Sequence, residues 1–263
     1  MLRIRISPSD FCFAHYEPLC PDSFRFATFP MRQQASLTMN LREAIAQTEM
    51  LQSPYDSVEV LLTEATTPVP LAEFQEEDCE TLYRYCFAAE GKYRVFYDTV
   101  PASNLVLLFA LDEMTCHTLD ETFGKVRYTT AVMPVLQHFS QKGLGTTEGK
   151  RLFVNLQEKS VDIAVFEASR LTAFNHFKVH GPADIAYYAL NMARHQGLDH
   201  SSAPLFVAGP STLRTQTVDE LGQYVSRVYG INPASEFNRN PVALTENMPY
   251  DLMCHLLRTQ YRP

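Results

Sequence analysis

The sequence predicts a mixed α/β fold assembled from a βββαβ unit that occurs twice. Two observations carry this reading. Short runs of β-branched and aromatic residues alternate with polar ones, as in Val154, Leu156, Val161, Ile163 and Val165, the period expected of strands with one buried face. These runs also recur. Ile4, Ile6, Phe11, Phe13, Ala14, Tyr16 and Glu17 stand 150 residues before Val154, Leu156, Val161, Ile163, Ala164, Phe166 and Glu167. Phe26 and Phe29 precede Phe174 and Phe177 by 148, and Val58–Leu62 precedes Leu205–Gly209 by 147.

Leu2–Ser7 and Phe11–Tyr16 read as a hairpin, with Phe24–Phe29 as a third strand. Asn40 followed by Glu43 has the spacing of a capping box, which opens a helix to about Gln52. Val58–Leu62 is the next strand, Pro68 and Pro70 mark a loop, and Phe74–Ala88 reads as helical. Arg94–Tyr97 and Leu105–Leu111 are strands around a Pro101–Asn104 turn. Asp112 caps a helix that ends before Gly124, and Val126–Thr130 and Ala131–Gln141 follow as strand and helix. Gly143–Gly149 holds three glycines and is the expected boundary between lobes 1–147 and 148–263.

The second half opens with the Arg151–Phe166 hairpin, turning at Gln157–Ser160, and the strand Leu171–Phe177. Pro182 at a first helical position starts a helix that Gly197 ends. Leu205–Ala208 is a strand. Thr217 and Glu220 form a second apparent capping box, with Val218, Leu221, Val225 and Val228 as its stripe. Glu236–Pro241 is irregular or a short strand, and Tyr250–Thr259 is a terminal helix.

With 263 residues, 46% hydrophobic and 20% charged, the chain can bury a sizeable core. A net charge of -8 and the lack of Lys/Arg runs longer than two residues argue against nucleic acid or acidic membrane as a general partner. The N-terminus shows no signal-peptide pattern, and the longest apolar run, Leu105–Leu111, falls far short of a membrane span. The six cysteines have no metal-ligand spacing, so reduced thiols in a cytoplasmic protein are expected.

The repeated unit and its second hairpin resemble the actin-like ATPase superfamily, whose two lobes are built on ribonuclease H-like units. The similarity is greatest to bacterial cell-division and pilus-assembly proteins of that fold, and the chain also looks like an uncharacterised bacterial family assigned to it. In such proteins the hairpin commonly reads D-I-G-G-G-T-T-D-I-A-V-F. Here the same register reads Asn155-Leu156-Gln157-Glu158-Lys159-Ser160-Val161-Asp162-Ile163-Ala164-Val165-Phe166. Val207-Ala208-Gly209-Pro210 resembles the adenosine-contacting turn.

The resemblance implies phosphate-cradling hairpins and one magnesium-holding aspartate per lobe. The aspartate positions fall on Ser7, followed by Pro8 with no amide proton, and on the neutral Asn155. Magnesium in phosphate sites takes one or two carboxylates, and here both would be missing. Side chains of Gln157, Glu158 and Lys159 stand where glycines would let backbone reach the phosphate. One carboxylate about 4 Å from a phosphate charge costs roughly 1 kcal/mol in water and about 4 at an effective dielectric of 20. No cofactor is expected, ATP and magnesium included, and no metal site.

Other motifs are weaker. GLGTTEGK at Gly143–Lys150 misses the P-loop spacing by one residue and precedes a strand rather than following one. His176 and His180 are about 13 Å apart on an extended strand, and His195 and His200 flank a loop. Ser201, Ser202 and Ser211 lack a nucleophile context. Asp162 and Asp184 could form an acidic pair.

The expected function is therefore a non-catalytic actin-like scaffold or assembly partner, working through a protein partner or self-association. The alternative is a nucleotide or phosphate binder without hydrolysis, contacting its ligand through Ser7, Asn155, Lys159 and Gly209. A second alternative is an enzyme with its site in the insertion 64–128. That insertion carries Phe74, Tyr83, Tyr85, Phe87, Tyr93, Phe96 and Tyr97 beside acidic Glu73–Glu80. Phe74, Tyr83, Tyr93 and Tyr97 are the candidate partner surface, since aromatic residues are enriched at interface hot spots; filling the insertion's own core is the competing use.

Overall fold

A computed structural model describes residues 1–17, 19–87, 91–100, 103–142, 149–199 and 201–258. In the first part of the chain, β1 (Leu2–Ile6), β2 (Asp10–Glu17), β3 (Cys20–Pro30), β4 (Val58–Leu62) and β8 (Val126–Thr130) form one sheet in the order β3-β2-β1-β4-β8. In the second, β9 (Lys150–Leu156), β10 (Ser160–Glu167), β11 (Arg170–Lys178), β12 (Leu205–Ala208) and β13 (Val228–Gly230) repeat it as β11-β10-β9-β12-β13.

The repeat holds at the level of single residues. Ile4 pairs with Phe13 on one side and Val60 on the other. Val154 pairs with Ile163 and Val207, the residues expected from the sequence offsets. Each unit also goes one helix and one strand further than the βββαβ repeat read from the sequence, which placed the helix after Asp112 and the Val126–Thr130 strand without assigning them to the repeat. Helix α3 (Glu113–Phe123) leads to β8, and α6 (Ser211–Leu221) leads to β13, both running parallel to the strand before them. These last strands lack a strong alternating pattern, so the periodicity did not reveal them as partners.

Each unit has its own core. In the first, Leu2, Ile4, Ile6, Phe11, Phe13, Val58, Val60 and Leu62 pack with Leu41 and Ala44 of α1 (Leu37–Gln47) and Cys116 and Leu119 of α3. In the second, Leu152, Val154, Leu156, Ile163, Val165, Leu205 and Val207 pack with Ile185, Ala189 and Ala193 of α5 (Pro182–His195) and Leu221 of α6.

The insertion is narrower than 64–128, because β8 continues the main sheet. It is a three-stranded sheet of β5 (Thr67–Pro70), β7 (Leu105–Asp112) and β6 (Tyr93–Val100), with α2 (Cys79–Cys86) against it. Pro68 and Pro70 lie in β5 rather than in a loop. That strand pairs on one side only, where a missing amide proton is tolerated. Helix α2 is shorter than Phe74–Ala88, since two 3-10 turns precede it; Ala88 lies outside the described residues.

Both apparent capping boxes are misplaced. Helix α1 starts after Ser36, whose side chain accepts the Met39 amide. Asn40 lies inside the helix, where its amide donates to the carbonyls of Arg32, Ala35 and Ser36 and ties down the entering loop. The helix stops at Gln47, and a 3-10 turn covers Glu49–Gln52. Helix α6 likewise begins at Ser211, leaving Thr217 buried in its interior, and Val228 belongs to β13. The Glu236–Pro241 stretch is irregular rather than a strand, lying between a short helix α7 (Pro233–Glu236) and a 3-10 turn at Pro241–Leu244, and α8 (Tyr250–Arg258) follows. Thr259 lies outside the described residues.

The chain divides into two compact units, 1–100 with 104–133 and 134–263 with 101–103. The division thus falls within α4 (Val132–Lys142), earlier than the expected 147/148 junction, and 143–148 lies outside the described residues. Packing explains the difference. Phe139 stacks on Phe153 with centroids 4.1 Å apart, and Ser140 donates to the Ser169 carbonyl at 2.6 Å. His138 meets the Glu236 carboxylate at 2.6 Å, and Lys142 donates to it as well.

Burial alone would raise the Glu236 pKa, but the hydrogen bonds from His138 and Lys142 outweigh it and hold the carboxyl below its ordinary value of 4.5. A depressed pKa contributes stability above the unfolded value that is lost as pH falls through the folded one. Melting temperature should therefore drop on acidification below about pH 4.5, and Glu236→Gln should flatten that part of the profile. An unchanged profile in Glu236→Gln would show that the cluster contributes nothing to acid sensitivity.

Candidate functional site

The tip of the β9–β10 hairpin holds a closed polar network. Asn155, Asp162 and His176 are successive cross-strand partners on β9, β10 and β11, so the pairing lines them up in one row. Asp162, 3% exposed, accepts hydrogen bonds from the Asn155 amide at 3.0 Å and the Gln157 amide at 3.2 Å. Its other oxygen meets His176 Nδ1 at 2.7 Å. Asn155 and Gln157 are themselves buried. The carboxylate of this hairpin is thus directed at its own strands. Glu158 and Lys159 are exposed at the turn, which closes through Gln157 N–H to Ser160 O at 2.9 Å.

His176 was missed by sequence reasoning, which weighed it only against His180. The available signal was its position opposite Asp162 in a three-stranded meander. Asp184 accepts the His180 backbone amide at 2.8 Å at the start of α5, so it does not pair with Asp162.

The first hairpin is closed differently. Ser7 is buried; its hydroxyl accepts the amides of Ser9 at 3.3 Å and Asp10 at 3.1 Å and bonds to the Asp10 carboxylate. Arg5 Nη1 reaches Asp10 Oδ1 at 3.5 Å. The register also corrects the placement of the first aspartate position. Arg5 pairs with Cys12 as Asn155 pairs with Asp162, so the counterpart of Asn155 is Arg5, and that of Ser7 is Gln157. A cation and an amide occupy the two equivalent positions.

Gly209 ends β12 with φ +124°, and a Cβ there would lie 2.6 Å from the Leu156 carbonyl oxygen. Its lack of a side chain is consumed by close approach to β9. Its own carbonyl accepts from Arg214 at 2.9 Å. The four residues expected at a nucleotide therefore divide. Asn155, Lys159 and Gly209 belong to the second unit and Ser7 to the first, and only Lys159 presents an exposed, unengaged side chain among the described residues.

With these turns in view, comparison with known proteins is informative. Residues 1–228 match a family described as protein of unknown function, DUF3822. The chain belongs to that family. No curated protein matches its sequence significantly. Among solved structures, a Bacteroides thetaiotaomicron protein with actin-like ATPase fold and unknown function is 24% identical, with a TM-score of 0.83 over 97% of this chain and 94% of that one. A PilM–PilN type IV pilus biogenesis complex matches at 14% identity and a TM-score of 0.60, over 100% and 98% of the respective chains. This DUF3822 member has the actin-like ATPase fold.

In the insertion, the aromatic residues mostly build its own core. Tyr83 is 6% exposed, its hydroxyl pushed up to about 12 by burial, and Phe74, Phe87 and Tyr93 pack around it with Val106, Leu108 and Ala110. Phe96 stacks on Phe109 and Tyr128 instead. Tyr85 and Tyr97 remain exposed, at 92% and 39%. Tyr83→Asp should abolish folding, whereas Tyr85→Asp should leave the melting temperature unchanged. Equal melting curves for the two would refute this division into core and surface.

The remaining motifs supply no site. Ser201 and Ser202 hydroxyls donate to Asp199 in a turn, and Ser211 starts α6. Residues 143–148 of the P-loop-like segment and His200 lie outside the described residues, and His195 is exposed at the end of α5. Among the described residues no group of three His, Cys, Asp or Glu could hold a metal. In the insertion, the buried Asp98 is occupied by Thr129 Oγ1 at 2.7 Å and the Thr130 amide at 2.8 Å.

Proposed function

We propose that this chain is a non-catalytic actin-like protein that acts in the cytoplasm as a scaffold or assembly partner. One observation carries the reading: the two hairpin turns are closed by their own side chains. Asp162 is saturated by Asn155, Gln157 and His176, and Asp10 is held by Ser7 and Arg5. In the first hairpin the Ser9 and Asp10 amides are taken by Ser7, and in the second the one buried carboxylate is taken by its own strands, so neither of these acids is free for magnesium. The six free cysteines agree with a reducing compartment. Likeness to PilM, whose solved form is a complex with PilN, supports work through a protein partner.

Purified protein with ATP and magnesium should release phosphate no faster than a Ser7→Ala/Asn155→Ala double variant. Hydrolysis above that control would sink the proposal. Sedimentation should show self-association that Tyr85→Asp or Tyr97→Asp weakens; a chain monomeric at all concentrations would shift the proposal to a different partner protein. Binding without hydrolysis is the second reading, favoured by Lys159 standing exposed at the turn. Calorimetry with ATP, ADP and GTP tests it, and absence of heat for all three counts against it.

A further inference from the structure

The second unit contains a cavity of about 1040 Å³ at the opposite end of its strands from the hairpin tip. Along β9 its lining runs from Lys150 to Phe153, two to five residues from Asn155, or about 7–17 Å at roughly 3.3 Å per residue. The volume is at the upper end of the range for small-molecule sites.

Its floor is a row of rings. Phe153, Phe206 and Tyr229 are cross-strand partners on β9, β12 and β13, stacked at 5.0 and 5.6 Å. Exposure increases along the row, from 1% at Phe153 to 45% at Tyr229, so the outer rings offer their surface to the cavity. One step along the strands, about 7 Å away, stand Arg151 and Arg227, and Lys150 lines the same space.

These cations are held by main-chain carbonyls rather than by acids. Lys150 donates to Gln196 O at 2.6 Å, Arg151 to Ala168 O and to Lys142 O at 3.3 Å, and Arg227 to Ser202 O at 2.9 Å. None of the three forms an ion pair among the described residues. Lys142, also in the lining, is taken by Glu236. Two acids complete the wall: Asp199, which binds the Ser201 and Ser202 hydroxyls, and the exposed Glu167. In a chain of net charge -8, three cations without carboxylate partners around one aromatic-floored cavity constitute a site complementary to an anion with a flat face.

We propose that this cavity binds a phosphorylated planar ring of nucleotide size, its ring on Phe206 and Tyr229 and its phosphate between Lys150 and Arg227. The site does not depend on the hairpin tips or on the scaffold reading. Burial lowers the Arg151 pKa with no carboxylate to offset it, and an anion in the cavity would relieve that cost.

The chain has no tryptophan, so Tyr229→Trp introduces a single fluorescent reporter on the ring row. Titration of this variant with AMP should quench it saturably. Adenosine alone and inorganic phosphate alone should each bind at least about tenfold more weakly, because each meets half of the site. Calorimetry on the unlabelled chain should show Arg227→Gln weakening AMP by about tenfold or more, with melting temperature unchanged, and Lys159→Ala without effect. No saturable response at millimolar AMP, or equal affinity for inorganic phosphate or adenosine, would overturn the proposal. So would loss of binding in Lys159→Ala with Arg227→Gln unaffected, which would place the ligand at the hairpin instead.

Discussion

Replacing Asp162 with alanine is expected to destabilise the second unit by about 3–5 kcal/mol, since each buried group left without its hydrogen-bond partner costs about 1–3 kcal/mol. The substitution removes the acceptor for three side chains at once. Asn155 and Gln157 would be left with buried amide donors, and His176 would lose the carboxylate 2.7 Å away. The melting transition should fall on the order of 10 °C. Asp184→Asn, at a half-buried helix start where an amide oxygen can still accept the His180 amide, is the matched control and should change little. If both variants melt within about a degree of the parent, the network is not what holds the hairpin.

The second large effect is expected at Gly209. Alanine there would adopt φ +124°, costing about 1–3 kcal/mol in backbone strain. It would also press its methyl to 2.6 Å from the Leu156 carbonyl oxygen, adding about 1–3 kcal/mol of overpacking. Gly124→Ala is the comparison: it too has positive φ, but a Cβ there meets nothing within 4 Å. Denaturant midpoints should therefore fall much further for Gly209→Ala than for Gly124→Ala. Equal losses would mean that backbone conformation alone, and not contact with β9, requires the glycine.

Much of the architecture was legible because strands with one buried face imprint a period of two that survives duplication. The matched sets around Ile4 and Val154 located the strands, and the cross-strand pairing then repeats at the same offset of 150. Helix starts were less legible. Asn40 and Thr217 have cap-forming side chains, yet Asn40 uses its amide inward and Thr217 is buried within α6. Local spacing cannot distinguish those uses from a cap, because tertiary packing decides them. The absence of aspartate at position 155 was visible in the sequence, but what Asn155 does instead was not. Its partners lie seven residues away on β10 and, through Asp162, on β11, so the network exists only once three strands are paired. The cationic cavity was invisible for the same reason. Lys150 and Arg151 are neighbours but Arg227 lies 76 residues further on, and only the parallel pairing of β9, β12 and β13 gathers them beside the rings.

The row Asn155–Asp162–His176 also makes this surface hard to revert. Asn155→Asp, the single change that would restore the missing acid, places a second carboxylate about 3 Å from one that is already buried, so one of the two must take up a proton or leave. The revertant should be less stable than the parent at neutral pH and recover on acidification, which a pH series of melting curves would detect. Restoring the pair of acids would further require Arg5 to become acidic while Asp10, its partner, found another cation. Each single step toward a metal-holding hairpin therefore runs uphill in stability.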